Sequence, residues 1–580
     1  WGEIAILKSL KYKLNVGYEL NFDNSKTLRR EGDWRMNMAY QPSYVSESSG
    51  RFDKPLVENT LTFDEKFGKH AINVMVGNSY QKETYNQISG EIQDILQTSS
   101  GKYYDVMDAG TSLPQAGGYR NVAVLLSYLG RLNYTYDDKY LLTATFRRDA
   151  SSRVKKENRW GNFPSISAAW RISKERFFAP VKWVDDLKVR ASYGTLGSLN
   201  IGYWDYAPVI NTFLTATFGT EQLQQNAAIQ TNLVNENLKW ESQTQLDFGF
   251  DATAFNNRLT FSADYYISKT KDVLTAMPIL MTTGNGAGNP VVNAASLENR
   301  GFEFSFGWRE KRKDFSYYAN LNFSTVKNKV TSLGYGRVDI ISGQGRTAVG
   351  RPIGEFYLIK TDGIFQNDGE IQSYKNSEGK VIQPDAKPGD IKYIDFNDDG
   401  KITDADRQVL GSPHSLFQAG INMGFAWKNF DLKMNWFMDI GSDVFNATKQ
   451  YMIGADAAGN GDSNYLKNFN YWTPERPTNI PRPIAGKITN RRDSDYWLEN
   501  GSWVKLKTLS IGYTIPEKLL HKIHFNTCRV YVTCQNLLTI SSFSMQDPEY
   551  RKDNIWNKGY RGVAAYPNPF AINFGVQFQF

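Results

Sequence analysis

Residues 568–580 read NPFAINFGVQFQF. They place Ile572, Phe574, Val576, Phe578 and Phe580 on one side of an extended chain and Asn573, Gly575, Gln577 and Gln579 on the other. Successive side chains of a strand point to opposite faces, so this alternation makes a ribbon with one apolar and one polar side. A strand of about ten such residues suits a barrel wall, with lipid on one face and an aqueous lumen on the other. The pattern recurs along the chain. Between Asn121 and Asp137 the apolar set is Val122, Val124, Leu126, Tyr128, Leu132, Tyr134 and Tyr136, with Asn121, Ser127, Arg131, Asn133, Thr135 and Asp137 interleaved. Leu432, Met434, Trp436, Met438 and Ile440 alternate with Asp431, Lys433, Asn435 and Asp439. Two more runs, Gln245–Ala252 and Leu259–Ser268, do the same, and no long helical period competes.

The fold class read from this pattern is all-β, a transmembrane antiparallel β-barrel with about 17 strands present. No stretch of 18 apolar residues offers a membrane helix, and no Pro/Ser-rich linker divides the 580 residues, so residues 1–580 read as one continuous architecture. The connections alternate. Tight turns are expected near Gly68, at 136–139, at 255–257, at 311–314 and at 428–430. Long polar or Gly-rich excursions cover 82–120, 198–237, 271–297, 329–415, 444–500 and 541–568. In a barrel these are external loops, with the tight turns and the carboxy-terminus on the periplasmic side. Trp183, Trp308, Trp427, Tyr136 and Tyr140 stand beside the turns, as an interfacial girdle requires. Cys528 and Cys534 are too far apart along one strand to bridge and read as small wall residues.

One segment has metal-like spacing. In DFNDDGKITDAD, 395–406, the residues Asp395, Asn397, Asp399, Lys401 (through its carbonyl), Thr403 and Asp406 fall where an EF-hand loop puts its oxygens, with Gly400 at the turn. A structural Ca²⁺ that stiffens the 329–415 excursion is the expectation; the alternative is an Asx-rich turn without metal. His70, His414, His521 and His524 are scattered, the 283–290 segment TGNGAGNP lacks the Lys-Ser/Thr of a phosphate loop, and no nucleophile–base or paired-carboxylate pattern stands out. The chain is therefore read as non-enzymatic. A formal charge of +7 spread over 67 basic and 60 acidic residues speaks against nucleic acid.

Specific words in the sequence carry a resemblance. LGRLNYTYDDKYLLTATFRRDASSR at 129–153, RWGNFPSISAAWRIS at 159–173, LKVRASYGTLG at 187–197, NENLKWESQTQLDFGFDATAFNNRLTFSADYYISKTKDVL at 235–274 and ENRGFEFSFGW at 298–308 run in family order. VGRPIGEFYLIKTDGIFQ at 349–366, YWTPERPTNIPRP at 471–483, GSWVKLKTLSIGYTIP at 501–516 and the terminal strand continue it. The chain resembles the SusC/RagA class of TonB-dependent outer-membrane transporters over nearly its whole length. The resemblance implies a carboxy-terminal barrel portion of a probable 22 strands, with plug, TonB box and opening strands not represented. It also implies import of oligosaccharide or oligopeptide, a SusD-type surface lipoprotein, the TonB complex and outer-membrane lipid as partners, and a dimer of transporter–lipoprotein pairs. Tyr203, Trp204, Tyr206, Tyr471 and Trp472 in the external excursions are candidate ligand contacts, since their rings could stack on sugars or peptide side chains. A passive porin and a secreted β-rich adhesion protein are the rival readings.

Overall fold

The computed structural model describes residues 1–32, 40–230, 233–277, 279, 289–453, 470–482, 489–520, 525–544, 547–549, 554–562 and 567–579. His521, His524, Phe580 and most of the 283–290 segment lie outside the described residues. Among the described residues eighteen strands belong to one antiparallel sheet, and no helix is long and apolar enough to cross a membrane. The chain divides into two compact units, Trp1–Arg171 with Arg190–Asp247 and Ser268–Leu297, and Ile172–Val189 with Phe248–Ile267 and Glu298–Phe580.

In the first unit Gly2–Leu7, Leu10–Arg29, Tyr44–Phe67, His70–Gln93, Gln115–Tyr136, Tyr140–Ser151 and Trp160–Arg171 form a meander, each strand pairing antiparallel with the next. The turns close as expected: Phe67 opposes His70 around Gly68, with φ of 58°, and Tyr136 opposes Tyr140 around Asp137 and Asp138, each with φ of 54°. Asp tolerates this left-handed backbone better than most residues, which is why Asp-Asp serves here. Beside these turns the rings of His70 and Tyr136 (4.9 Å), Tyr136 and Tyr140 (6.3 Å) and Tyr140 and Trp170 (6.4 Å) form a continuous row. A second row begins where Tyr128 stacks on Trp160 at 6.1 Å, with the Arg148 guanidinium 4.7 Å from that indole. From Tyr136 back to Tyr128 is about 26 Å of strand at roughly 3.3 Å per residue, or about 20 Å of height at a tilt of about 40°, somewhat under the ~25 Å of an outer-membrane apolar band.

The strands do not stop at the second row. Tyr44–Phe67 and His70–Gln93 have 24 residues each and Gln115–Tyr136 has 22, whereas crossing a bilayer takes about 9–11. The 82–120 excursion is therefore strand at both ends, up to Gln93 and again from Gln115; likewise Leu259–Ala276 and Val291–Arg312 enter the 271–297 excursion from both ends. Polar composition had concealed this, because outside the lipid neither face need be apolar. The 198–237 excursion carries its own hairpin, Ile210–Phe218 with Leu223–Gln230.

In the second unit Phe315–Ser324, Phe417–Trp427, Phe430–Ile440, Trp503–Thr514, Thr527–Ser541 and Ala571–Gln579 pair in that order. The apolar rows run in register from strand to strand: Ile421 opposes Trp436, Leu432 opposes Ile511, and Ile511 opposes Val532. Phe255 stacks on Trp183 at 5.7 Å and lies tilted against Trp308 at 6.1 Å, beside the turn where Phe255, Asn256 and Asn257 each have φ of 59°. The two cysteines are free, Cys528 buried and Cys534 half-buried.

The second unit also holds a core that does not belong to the wall. Phe356, Leu358, Ile359, Ile391, Tyr393, Phe445, Ala447, Ile453 and Trp497 are buried together, with Ile402, Leu410, Tyr471, Ile480, Leu498 and Tyr560 packed around them. These residues come from three separate external excursions. Small sheets tie them: Asp443–Asn446 pairs antiparallel with Leu498–Asn500 and parallel with Tyr560–Arg561. Buried Asp390 accepts from Nε and Nη2 of Arg482 (2.7 and 3.1 Å) and from the Asn490 amide (3.2 Å). The external excursions thus form a packed cap with its own hydrophobic centre.

Trp497 is fully buried and donates its indole N–H to the Arg492 carbonyl at 3.1 Å. Trp497→Ala should cost the cap about 3–5 kcal/mol and raise its hydrogen exchange while wall amides keep their protection. His414 Nε2 lies 2.7 Å from the Ile353 carbonyl, and burial pushes its imidazole below the ordinary value, opposed by that hydrogen bond and by Glu355 and reinforced by Lys558. The neutral ring is thus preferred in the fold, so this group's stabilisation is present above about pH 6.5 and is lost as the pH falls. Exchange protection of the Ile353 and His414 region should drop on acidification to pH 5, and His414→Gln should flatten that dependence.

Candidate functional site

In the first unit, Arg153 organises the rim. It follows the strand Tyr140–Ser151, and its guanidinium donates to Glu83 Oε2 at 2.6 Å and to the Ile201 carbonyl at 2.7 Å while lying 4.7 Å from the centre of the Tyr203 ring. Trp204 donates its indole N–H to Asn121 Oδ1 at 2.9 Å and keeps 46% of its surface exposed. Tyr206 packs against the buried cluster of Val154, Ile201 and Leu238. The three aromatics near residue 203 therefore do different things. Tyr203 is engaged by a cation, Tyr206 is core, and Trp204 is the ring most open to a ligand.

Beside Arg153 lies a cavity of about 320 Å³ lined by Gln81, Glu83, Asp149, Ser151, Gly197 and Trp240 among others. Phe163 packs edge-on against Trp240 with ring centres 5.4 Å apart, and it passes so close to residue 197 that a Cβ there would come within 2.1 Å of its ring. Gly197 is thus what leaves room for the Phe163 ring against Trp240. Asp149, itself buried, accepts from Arg147 Nε with both oxygens, at 2.9 and 2.8 Å. The lining offers acceptors, one guanidinium and one indole, a mixture that suits a polar, uncharged or zwitterionic group. Pattern reading singled out none of Arg153, Asp149, Phe163 or Trp240 as site residues, although all stand in the words that carry the resemblance.

In the second unit, Tyr471 packs on the cap core and Trp472 is 7% exposed, its indole N–H donating to Gln366 Oε1 at 2.9 Å. Gly389, with φ of 91°, makes room for that indole: a Cβ would sit 2.5 Å from the Trp472 ring. These two rings hold the cap together.

The 395–406 loop has the turn its spacing implies. Asp395 accepts the Gly400 amide (2.7 Å) and the Asp399 amide (3.2 Å), Asn397 accepts the Asp399 amide (3.2 Å), and Asp399 accepts the Lys401 amide (2.9 Å); Gly400 has φ of 73°. Asp406, at the closing position, is fully buried. Its oxygens accept from the amides of Phe396 (2.9 Å), Asn397 (3.4 Å) and Thr403 (2.7 Å), and Thr403 caps the short helical turn in return. Among the described residues no group of three or more His, Cys, Asp or Glu side chains converges as a metal cluster. The Asp395 charge is felt nearby: Tyr374, whose hydroxyl donates to the Tyr393 carbonyl at 2.7 Å, is pushed up to about 12, mainly by burial and then by Asp362 and Asp395.

Residues 7–537 match the family described as TonB dependent receptor-like, beta-barrel. TonB-dependent receptor P3 of Formosa agariphila is 33% identical over 543 residues, covering 90% of this chain and 52% of that protein. TonB-dependent receptor SusC of Bacteroides thetaiotaomicron is 28% identical over 487 residues, 81% of this chain and 45% of that one. A structure of the RagAB peptide transporter superposes with a TM-score of 0.82 at 22% identity, covering all of this chain and 61% of that one, a likeness of fold. The chain spans about half the length of the curated relatives it matches. With strands apolar on one face and polar on the other, tight turns lined by aromatics and this match along most of its length, the chain belongs to the TonB-dependent receptor β-barrel family of outer-membrane proteins, with SusC among its relatives in sequence and RagAB alike in fold.

Proposed function

We propose that the whole protein actively imports a large nutrient, an oligosaccharide or an oligopeptide, across the outer membrane of a Gram-negative bacterium. The observation that supports this most is the cap: external excursions packed around Trp497, Phe356 and Tyr393 form a rigid surface on the side away from the tight turns. A passive pore gains nothing from such a body, whereas a transporter that hands ligand over from a surface partner needs a fixed platform. In this reading a SusD-type lipoprotein docks on the external side. TonB acts through a plug carried by sequence outside these residues, and two transporter–lipoprotein pairs associate. The chain's own part is wall, lumen and loops, with no catalytic step. Trp204 offers a ring for stacking, and Trp472 contributes through the fold of the cap.

Any Ca²⁺ taken up by the 395–406 loop would rest on Asp395, Asn397 and Asp399 and on the carbonyl of Lys401, in competition with the backbone amides those side chains accept, because Asp406 is fully buried and Thr403 caps the helical turn. Its part would be to stiffen the loop. Isothermal calorimetry of the intact protein is expected to give weak Ca²⁺ uptake that disappears in Asp395→Ala; no uptake in the parent protein removes the ion from the account.

Uptake of labelled oligosaccharide or oligopeptide by cells should require TonB, and the purified full-length protein should be nearly non-conducting in planar bilayers. Steady conductance with TonB-independent uptake would instead establish the porin alternative. Trp204→Ala should weaken ligand binding by up to about tenfold, the equivalent of ~1.4 kcal/mol of stacking, without altering the melting of the barrel.

A further inference from the structure

The strand Trp503–Thr514 changes which side its alternate residues face, and it does so at one residue. Near the turn Leu509 and Ile511 lie opposite Met434 and Leu432, on the apolar row. Beyond it Leu506 and Val504 take that place, opposite Trp436 and Met438. The pairing slips between Asn435 and Trp436 on one side and between Leu506 and Thr508 on the other, so Lys507 is an extra residue in the ladder. Without this bulge strict alternation would carry Lys507, Lys505 and Trp503 onto the lipid-facing row and Leu506 and Val504 onto the polar one. The bulge spares the apolar row and turns both lysines to the polar side.

There they meet the last external excursion. Lys505, 1% exposed, is ion-paired with Asp547 and, at 3.0 Å, with Glu549; Lys507 also pairs with Glu549. The Trp503 ring lies 5.2 and 5.3 Å from the two ammonium groups. Asp547 also accepts the backbone amides of Glu549 (3.0 Å) and Asn568 (3.2 Å), and Glu549 accepts the Asn568 side-chain amide at 3.1 Å. Arg561, equally buried, donates to the Asp547 carbonyl. Burial pushes both carboxyls up, but their hydrogen bonds, those from Lys505 and Lys507 among them, outweigh it and hold both below the ordinary range. Paired, the charges hold the excursion firmly; losing one partner leaves the others buried and uncompensated, which is strongly unfavourable.

We propose that Lys505 and Lys507, aimed by the bulge, form with Asp547 and Glu549 an ionic latch that anchors residues 547–549 and 554–562 of the final external excursion against the wall. The wall does not need the latch. Its own strands are paired on both sides of Lys507, and near the turn it has a separate ion pair, Arg529 with Asp431, at 2.8 and 2.7 Å. Lys505 and Lys507 are thus positioning residues for the excursion.

The test is hydrogen exchange by mass spectrometry on the purified full-length protein in detergent. It compares the parent with Lys505→Met, Lys505→Arg and Glu549→Gln, and needs neither nutrient nor TonB, so its outcome is independent of the import reading. In Lys505→Met, amides at 547–549 and 554–562 should exchange about tenfold faster or more, while those of 503–514 and 527–541 keep the parent's rates. Glu549→Gln should give a smaller change in the same segments, and Lys505→Arg should restore most of the protection. Unchanged exchange at 554–562 in both Lys505→Met and Glu549→Gln would overturn the latch. So would wall and excursion loosening together in Glu549→Gln, which makes the cluster part of the wall's own stability.

Discussion

Backbone hydrogen bonding in lipid is the constraint from which the rest of this structure follows. A strand crossing a bilayer can satisfy its N–H and C=O groups only through neighbouring strands, so the ladder must continue from one strand to the next through the whole membrane zone. That requirement fixes the antiparallel meander in each unit, the tight turns on one side and the period-two alternation that results when one face meets lipid and the other water. It also explains why left-handed backbone gathers at the turns, in Asp137, Asp138, Asn256, Asn257 and Lys428: each turn must reverse the chain without leaving a ladder group unpaired.

Outside the lipid the constraint relaxes, and the two units use that freedom differently. In the first, pairing simply continues: Tyr44–Phe67, His70–Gln93 and Gln115–Tyr136 run past the Tyr128 and Trp160 row for roughly 40–50 Å at about 3.3 Å per residue. In the second, the ladder gives way to short sheets and a hydrophobic centre around Trp497 and Phe356. Both arrangements bring order to chain that would otherwise be free to fluctuate. Each presents fixed side chains, Trp204 in one unit and the cap surface in the other, as a ligand or partner needs.

Legibility in the sequence follows the same boundary. Where one face is buried in lipid, composition alternates, and Leu432–Ile440 or Ile572–Phe578 can be read directly as wall. The girdle residues Trp183, Trp308, Tyr136 and Tyr140 were legible because turns and aromatics coincide in sequence. Past the membrane both faces see water or protein, the alternation fades, and strands such as Gln115–Arg120 look like loop. The cap core was hidden for another reason: Phe356, Tyr393, Phe445 and Trp497 are far apart in sequence, and each stands in a short apolar island too small to announce a domain. The ligand-contact aromatics were located by type and loop position alone, which cannot tell exposed Trp204 from buried Trp472.

One signal was present and is physically specific. In WVKLKTLSIGYT the apolar residues occupy even positions at Val504 and Leu506 and odd positions at Leu509, Ile511 and Tyr513. A regular strand cannot keep both sets on one face, so such a break in parity requires a bulge between them, and the residues flanking the break must face opposite to where simple alternation puts them. Here that reversal carries Lys505 and Lys507 away from lipid, where an ammonium group is costly, and onto the side where Asp547 and Glu549 meet them. The rule extends to any amphipathic wall. A lysine that alternation assigns to the lipid face, standing beside a parity break, marks a bulge and a polar partner on the other side.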